Sequence, residues 1–359
     1  MLTRKPRFPI REIALTGFLP SFLKKWIYRF RGYRIGKGVR FGLGSVVSGS
    51  DVEIGNGVAL GFLTIIRGRT IRLGNHVDIG SFSFLDTPHL EIGDGTKINE
   101  QVMCGGLQFP DSKLIIGRNC QVMQMTFINP TKSITIGDDT GIGGDCLIFG
   151  HASWLSKFEG YPVDFRPIEI GSSVSLSWRV FVLAGAKIGD GAVIGANSLV
   201  NHAIPPRCLA VGFPARVVAK APYFPRTIAE SEKPGMLRDI LSEMVTYLRG
   251  YGLACDDHGD LITVVQKSGS GWFGKERTWR LRVESEPAGK RALEGGYDNV
   301  HVFLSLQRLP DEARQQLFRR KVAWIDIEAK ERSDYGNDLA EEVMQFLRRY
   351  GVRFNRVAQ

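Results

Sequence analysis

An aliphatic residue followed by glycine returns eight times at near-constant spacing, a finer period of six runs inside those intervals, and glycine is over-used. Together these predict an all-β left-handed parallel β-helix of hexapeptide repeats. The pairs are Ile35-Gly36, Ile54-Gly55, Leu73-Gly74, Ile92-Gly93, Ile116-Gly117, Ile136-Gly137, Ile170-Gly171 and Ile188-Gly189, with intervals of 19, 19, 19, 24, 20, 34 and 18 residues. The period of six shows in Ile188-Gly-Asp-Gly-Ala-Val, then Ile194-Gly-Ala-Asn-Ser-Leu, then Val200. The chain holds 42 Gly among 359 residues, well above ordinary usage.

Each six-residue unit reads as a short strand, and three units make one turn of a triangular prism. The aliphatic residues point inward and stack turn upon turn, while Gly, Asn and Asp are expected at the corners because they tolerate φ > 0. A turn buries its inner face only against the next, so stability accumulates along the stack. The left-handed course runs against the right-handed preference of ordinary crossovers. A Gly-rich β-sandwich is the competing reading, and eight registered pairs argue against it.

The repeat assigns residues 35–222 to the β-helix, leaving a basic helical segment at 1–34 and an accessory domain at 230–359. The first forty residues carry eleven Lys and Arg against Glu12 alone, so the formal charge of +10 is local. So local a charge argues against a protein that coats nucleic acid. Phe22, Leu23, Trp26, Ile27 and Phe30 fall on one arc of a helix, with Lys24, Lys25, Arg29 and Arg31 on the other. Two roles are open to this segment: peripheral contact with an anionic membrane, or capping the prism with the aromatic face buried in protein. No run approaches the roughly 18 apolar residues of a membrane span, and the start lacks the pattern of a secretory signal. A cytoplasmic protein, at most membrane-peripheral, is expected. Five cysteines without a CxxC pair predict reduced packing thiols, with no disulfide and no structural zinc.

After Pro225 the periodicity changes to that of a separate α+β domain of unknown role. Met236–Leu248 and Leu339–Tyr350 read as helices; Leu261–Gln266, Trp279–Glu284, Val300–Leu306 and Val322–Ile327 read as strands. The SGSGWFG run from Ser268 to Gly274 reads as a hairpin tip, since no P-loop lysine pattern follows it. Asp326, Glu328 and Asp334 read as solvated acids near a strand end.

The interval of 34 residues marks the site. It breaks the prism after Leu147-Ile-Phe-Gly-His-Ala-Ser-Trp154 and ends at Ile168-Glu-Ile-Gly171. A loop inserted into a rigid scaffold is where substrate-specific residues are carried. His151 stands at its base, free to titrate and to accept a proton. His76, His89, His258 and His301 read as structural, and His202 as intermediate.

From Ile148 to Lys220 the sequence resembles the hexapeptide-repeat acyltransferases, in the branch of galactoside, maltose and chloramphenicol acetyltransferases and polysaccharide O-acetyltransferases. Four runs carry the resemblance: Phe149-Gly-His-Ala152, Pro167-Ile-Glu-Ile-Gly171, Ala184-Gly-Ala-Lys-Ile-Gly through Val200, and Ile204-Pro-Pro206 with Val211-Gly-Phe-Pro-Ala-Arg-Val-Val218. The resemblance covers residues 35 to 222. It implies that His151 takes the proton of an acceptor hydroxyl as that oxygen attacks the thioester of acetyl-CoA, a step worth about 10²–10⁴-fold. It implies a pantetheine groove along the last turns, with close backbone approach at Ala184, Gly185, Ala196 and Asn197, Asn201 beside it, and Arg216 and Lys220 reaching the nucleotide phosphates. It further implies a homotrimer with active sites at subunit boundaries and a carbohydrate acceptor, for which Asn129 and Trp154 are candidate contacts. Asn129 beside Pro130 also reads as a turn residue, and Trp154 also reads as an anchor of its own loop. No metal is expected.

The chain departs from the family at Val174-Ser-Leu-Ser-Trp178, where Val-Trp-Ile-Gly and a small residue are usual, so Trp178 brings a bulky ring to the expected groove. The function expected is O-acetylation of a sugar in surface polysaccharide biosynthesis. N-acetylation of an amino sugar or antibiotic is a second enzymatic reading, and a non-catalytic scaffold a third. A γ-type carbonic anhydrase needs three zinc histidines, and only His151 is placed for one.

Overall fold

The computed structural model describes residues 9–268, 275–285 and 299–357. It divides into two compact units, Met1–Thr227 and Ile228–Gln359. The SGSGWFG run lies, beyond Ser268, outside the described residues.

In the first unit three sheets of nine, ten and eight short strands wrap one core. Within each sheet every strand pairs in parallel with the strand one turn on, except the last, Arg216–Lys220, which returns antiparallel to Cys208–Val211. The register follows the repeat: Ile92 lies against Ile116, Ile116 against Ile136, and Ile136 against Ile170. Each of these isoleucines is buried in one continuous column. Three parallel sheets around such a column form the triangular cross-section of a parallel β-helix, which fits the left-handed prism expected from the repeat.

The glycines of the Ile-Gly pairs serve a different purpose from the one expected of corner residues. Gly36, Gly55, Gly93 and their equivalents do not have positive φ. A Cβ on Gly93 would stand 2.7 Å from the Arg118 backbone N, and one on Gly137 2.5 Å from the Ser172 N. Glycine is required there because the next turn's backbone crosses at contact distance. The left-handed conformation falls two residues later, mostly at the small or polar residues expected of corners, such as Gly38, Gly57, Asn119 and Asp139, while at other corners bulky residues adopt it: Leu63 (φ 51°), Phe82 (φ 59°) and Arg179 (φ 59°). Its cost of about 1–2 kcal/mol per residue is offset by corner hydrogen bonds, as from Leu63 N to Leu43 O and from Phe82 N to Phe62 O. Asn and Asp act at the corners as acceptors between turns: Asn75 Oδ1 takes the Asn56 N–H (2.9 Å) and Asp138 Oδ1 the Arg118 N–H (2.7 Å).

The first turn of a parallel stack exposes unpaired backbone groups, and the Ser21–Phe30 helix satisfies several of them. Ser21 Oγ accepts from Phe41 N and the Tyr28 hydroxyl from Val47 N, and just past the helix the Tyr33 hydroxyl accepts from Gly49 N. Lys24 Nζ donates to Gly42 O (2.7 Å) and Ser45 O (3.0 Å). Lys24, expected on the solvated arc, is therefore fully buried, and burial lowers its ammonium to about 8. Much of the aromatic arc stays outside instead, because the cap is held by polar side chains that can reach backbone atoms and rings cannot.

Among its described residues the second unit is a seven-stranded sheet with three helices, Lys233–Gly250, Asp311–Arg319 and Asp338–Arg348. Alternate residues of its central parallel strands enter different cores: Val302, Leu304, Ala323 and Ile325 pack with the first and third helices, Phe303 and Trp324 with the middle one. The middle helix and the strands Ala254–Asp257, Glu331–Ser333 and Asn355–Val357 had no counterpart in the sequence reading. Asp326 is corrected from solvated to fully buried. Arg314 pairs with it at 2.8 Å, and it accepts the backbone N–H groups of Leu309 and Ala329. The five cysteines are buried thiols, and burial raises the Cys146 thiol to about 11.

Candidate active site

Both long intervals of the repeat break out at the same prism edge, between the eight-stranded sheet, the third face, and the nine-stranded sheet, the first. One loop lies between the strands Met103–Cys104 and Lys113–Ile116, the other between Leu147–Phe149 and Ile168–Ile170. The corner at residues 130–132 lies between them in the stack and stays short. His151 opens the second loop in a two-residue antiparallel ladder with Asp164–Phe165, facing Phe165 in register. The Phe165 ring lies nearly parallel to the imidazole at 6.5 Å, Phe149 stands at 6.1 Å, and Phe109 of the other loop meets Phe165 edge-on at 5.5 Å. Desolvation among these neighbours lowers the His151 pKa below its ordinary value.

The proton inventory then decides which imidazole nitrogen is available. Thr131 Oγ1 lies 2.9 Å from His151 Nδ1 and donates to Asn129 Oδ1 at 2.9 Å. The hydroxyl has one hydrogen, and the Asn129 carbonyl oxygen can only accept. With that hydrogen committed, Thr131 accepts from Nδ1–H, and the lone pair of the neutral ring resides on Nε2. Thr131 and Asn129 are both buried. The Asn129 amide nitrogen faces Gly106, where a Cβ would come within 2.4 Å of it. Asn129, a candidate acceptor contact, is thus enclosed and engaged with Thr131. Sequence reading missed Thr131, although it precedes His151 by 20 residues, the length of the neighbouring turn.

No family model matches the chain. A protein of Escherichia coli K12 named for O-acetyl transfer in lipopolysaccharide biosynthesis, WbbJ, is 37% identical over 114 residues, covering 28% of this chain and 58% of its own length. The galactoside O-acetyltransferase of the same organism is 34% identical over 109 residues, covering 30% of this chain and 54% of its own length. The chain resembles the hexapeptide-repeat acyltransferases. It spans little more than half the length of these two curated relatives. Among solved structures, the polySia-specific acetyltransferase NeuO matches 52% of this chain and 85% of its own at 21% identity, with a TM-score of 0.34. A score so low decides nothing about the fold, which rests on the strand pairing.

The positions carried over from the hexapeptide-repeat acyltransferases fall in three places. Ala184 and Gly185 form the next corner along the edge of His151. A Cβ on Gly185 would stand 2.5 Å from the guanidinium carbon of Arg166, which is itself tied to Asp164. Asn201 follows one turn further on and is exposed, its Oδ1 2.9 Å from His202 Nδ1. Ala196 and Asn197 are exposed at the other edge of the third face, where Asn197 borders a cavity of about 280 Å³ with Asp145, Leu147, Arg179, Phe181 and Phe213. Arg216 and Lys220 are exposed on the closing strand. The Trp178 ring lies against Gly144 in the preceding turn, where a Cβ would be 2.5 Å from it. Trp154 is 97% exposed and so does not anchor its own loop.

A larger cavity, about 500 Å³, opens on the first face and is lined by His89, Glu91, Asp111, Lys113, Lys132, Ser133 and Pro167. Lys132 and Pro167 follow Thr131 and Arg166 in the chain, so its wall begins beside the histidine edge. Among the described residues no three His, Cys, Asp or Glu side chains are grouped to hold a metal ion. No helix among them is long and apolar enough to cross a membrane.

Proposed function

We propose that the chain is an acyl-CoA-dependent O-acetyltransferase that moves an acetyl group from acetyl-CoA to a sugar hydroxyl, with His151 as general base. The observation that carries this reading is the hydrogen-bond chain from Asn129 through Thr131 to Nδ1, which leaves the Nε2 lone pair free on a neutral imidazole. His151 Nε2 accepts the hydroxyl proton as the sugar oxygen forms its bond to the thioester carbon. When the carbon–sulfur bond breaks, the imidazolium returns that proton to the departing sulfur, so the ring ends neutral and no covalent enzyme intermediate is needed. Acetyl-CoA supplies the activated acyl thioester.

The residues fit such a donor. Asn197 borders a groove-like cavity, Trp178 is laid against Gly144, and the cations of Arg216 and Lys220 are open to solvent. The charged and polar wall of the 500 Å³ cavity suits a hydroxylated acceptor such as a surface polysaccharide precursor. The second loop presents Trp154, Leu155 and Phe158 to solvent without a core of its own, which supports a homotrimer in which a partner covers it or Trp154 stacks on the sugar.

The test is His151→Ala. Thiol release from acetyl-CoA across a panel of sugar acceptors should fall by about 10²–10⁴-fold, with thermal stability and assembly state unchanged. Turnover equal to that of the unsubstituted protein would refute the role of His151.

A further inference from the structure

The Ser21–Phe30 helix is anchored on one side and open on the other. Lys24 and Tyr28 are fully buried against the first turn of the prism, and Ser21 bonds to it. At 100° per residue the positions opposite this anchored side are Phe22, Trp26 and Phe30. They are 66%, 69% and 86% exposed, and the Trp26 and Phe30 rings stack at 6.2 Å. Ile10, Leu15 and Phe18, just upstream, are exposed as well. Isolated apolar side chains on a surface need no explanation, but an aligned row of three aromatic rings does.

The charge around the row is of one sign. Lys25 and Arg29 occupy the flank between the anchored side and the rings, and Arg31 follows. Glu12 is the only acidic residue in the first forty. We propose that this face docks the protein on the surface of an anionic lipid bilayer, with Phe22, Trp26 and Phe30 at the acyl boundary and Lys25, Arg29 and Arg31 toward the headgroup phosphates. The inference goes beyond acetyl transfer and does not depend on it.

Two physical arguments favour a bilayer over a second copy of the chain. A symmetric contact through this face would bring two uncompensated positive rims together, whereas anionic lipid neutralises both charge and apolar area at once. In addition, the helix is already held by the buried Lys24 and Tyr28, so docking does not have to order it.

The experiment is co-sedimentation of the full chain with vesicles of phosphatidylcholine mixed with phosphatidylglycerol, against phosphatidylcholine alone. The protein should sediment with the anionic vesicles and be released by salt. Replacing the rings together (Phe22→Ser, Trp26→Ser, Phe30→Ser) should cut partitioning by on the order of tenfold or more. Lys25→Glu with Arg31→Glu should do the same on anionic vesicles, and it leaves in place Arg29, whose guanidinium donates to Ile35 O at 3.0 Å. Because these side chains are wholly or partly exposed, the melting temperature should hold in both variants. Failure of the unsubstituted protein to bind anionic vesicles would overturn the proposal, as would full binding by the triple-ring variant. So would a triple-ring variant that changes only the oligomer size in light scattering, which would make the face a subunit contact.

Discussion

Thr131 has no chemistry of its own to offer an acyl transfer, yet its single hydrogen sets the tautomer of His151. Thr131→Val should lower kcat by up to about 10²-fold, the scale of a misplaced reacting group, while KM for acetyl-CoA holds. Thr131→Ser, which keeps the hydroxyl, should retain most of the activity. A Val variant as active as the Ser variant would remove Thr131 from the mechanism. Desolvation depresses the His151 pKa, so the neutral imidazole, the form the proposed base requires, persists to lower pH than a free one. The acid limb of the kcat/KM profile should therefore lie below the ordinary 6.5. As pH falls through that window the unfolded imidazole takes its proton first, so the same group withdraws stability on acidification.

At the scale of the element, the spacing between turns rather than strand propensity limits what the prism accepts. Gly93→Ala should destabilise the first unit by about 1–3 kcal/mol in denaturant unfolding, since its Cβ would meet backbone that cannot swing aside. Gly235→Ala, in the Lys233–Gly250 helix with open space around it, should be neutral or stabilise by about 0.5–1 kcal/mol. Equal effects at the two sites would mean that turn spacing relaxes more readily than the geometry indicates. Buried hydroxyls support the same spacing: Thr64, Thr126 and Thr140 each donate to a carbonyl of the following turn.

For the whole molecule, the described residues of the β-helix share one continuous core and those of the second unit form two of their own. A chain ending at Thr227 should therefore melt in a single cooperative transition and keep its His151-dependent turnover. Aggregation or the absence of a melting transition in that chain would show that the first unit depends on the second.

The sequence by itself determined the prism, because one inward aliphatic residue per strand is a local, periodic signal that translates directly into stacked strands. It also marked His151, because an interruption of a strict repeat is visible without coordinates. The tertiary structure alone decided why the Ile-Gly glycines are needed, since their constraint is the backbone one turn away. It also decided that Lys24 rather than the aromatic arc is buried, because unpaired edge carbonyls draw a donor that a helical wheel does not register. Asn129, Thr131, Phe109 and Phe165 converge on the histidine edge only because successive turns bring distant residues into register. The candidate base was legible in the chain; the hydrogen-bond chain that holds its Nδ1 is a property of the stack.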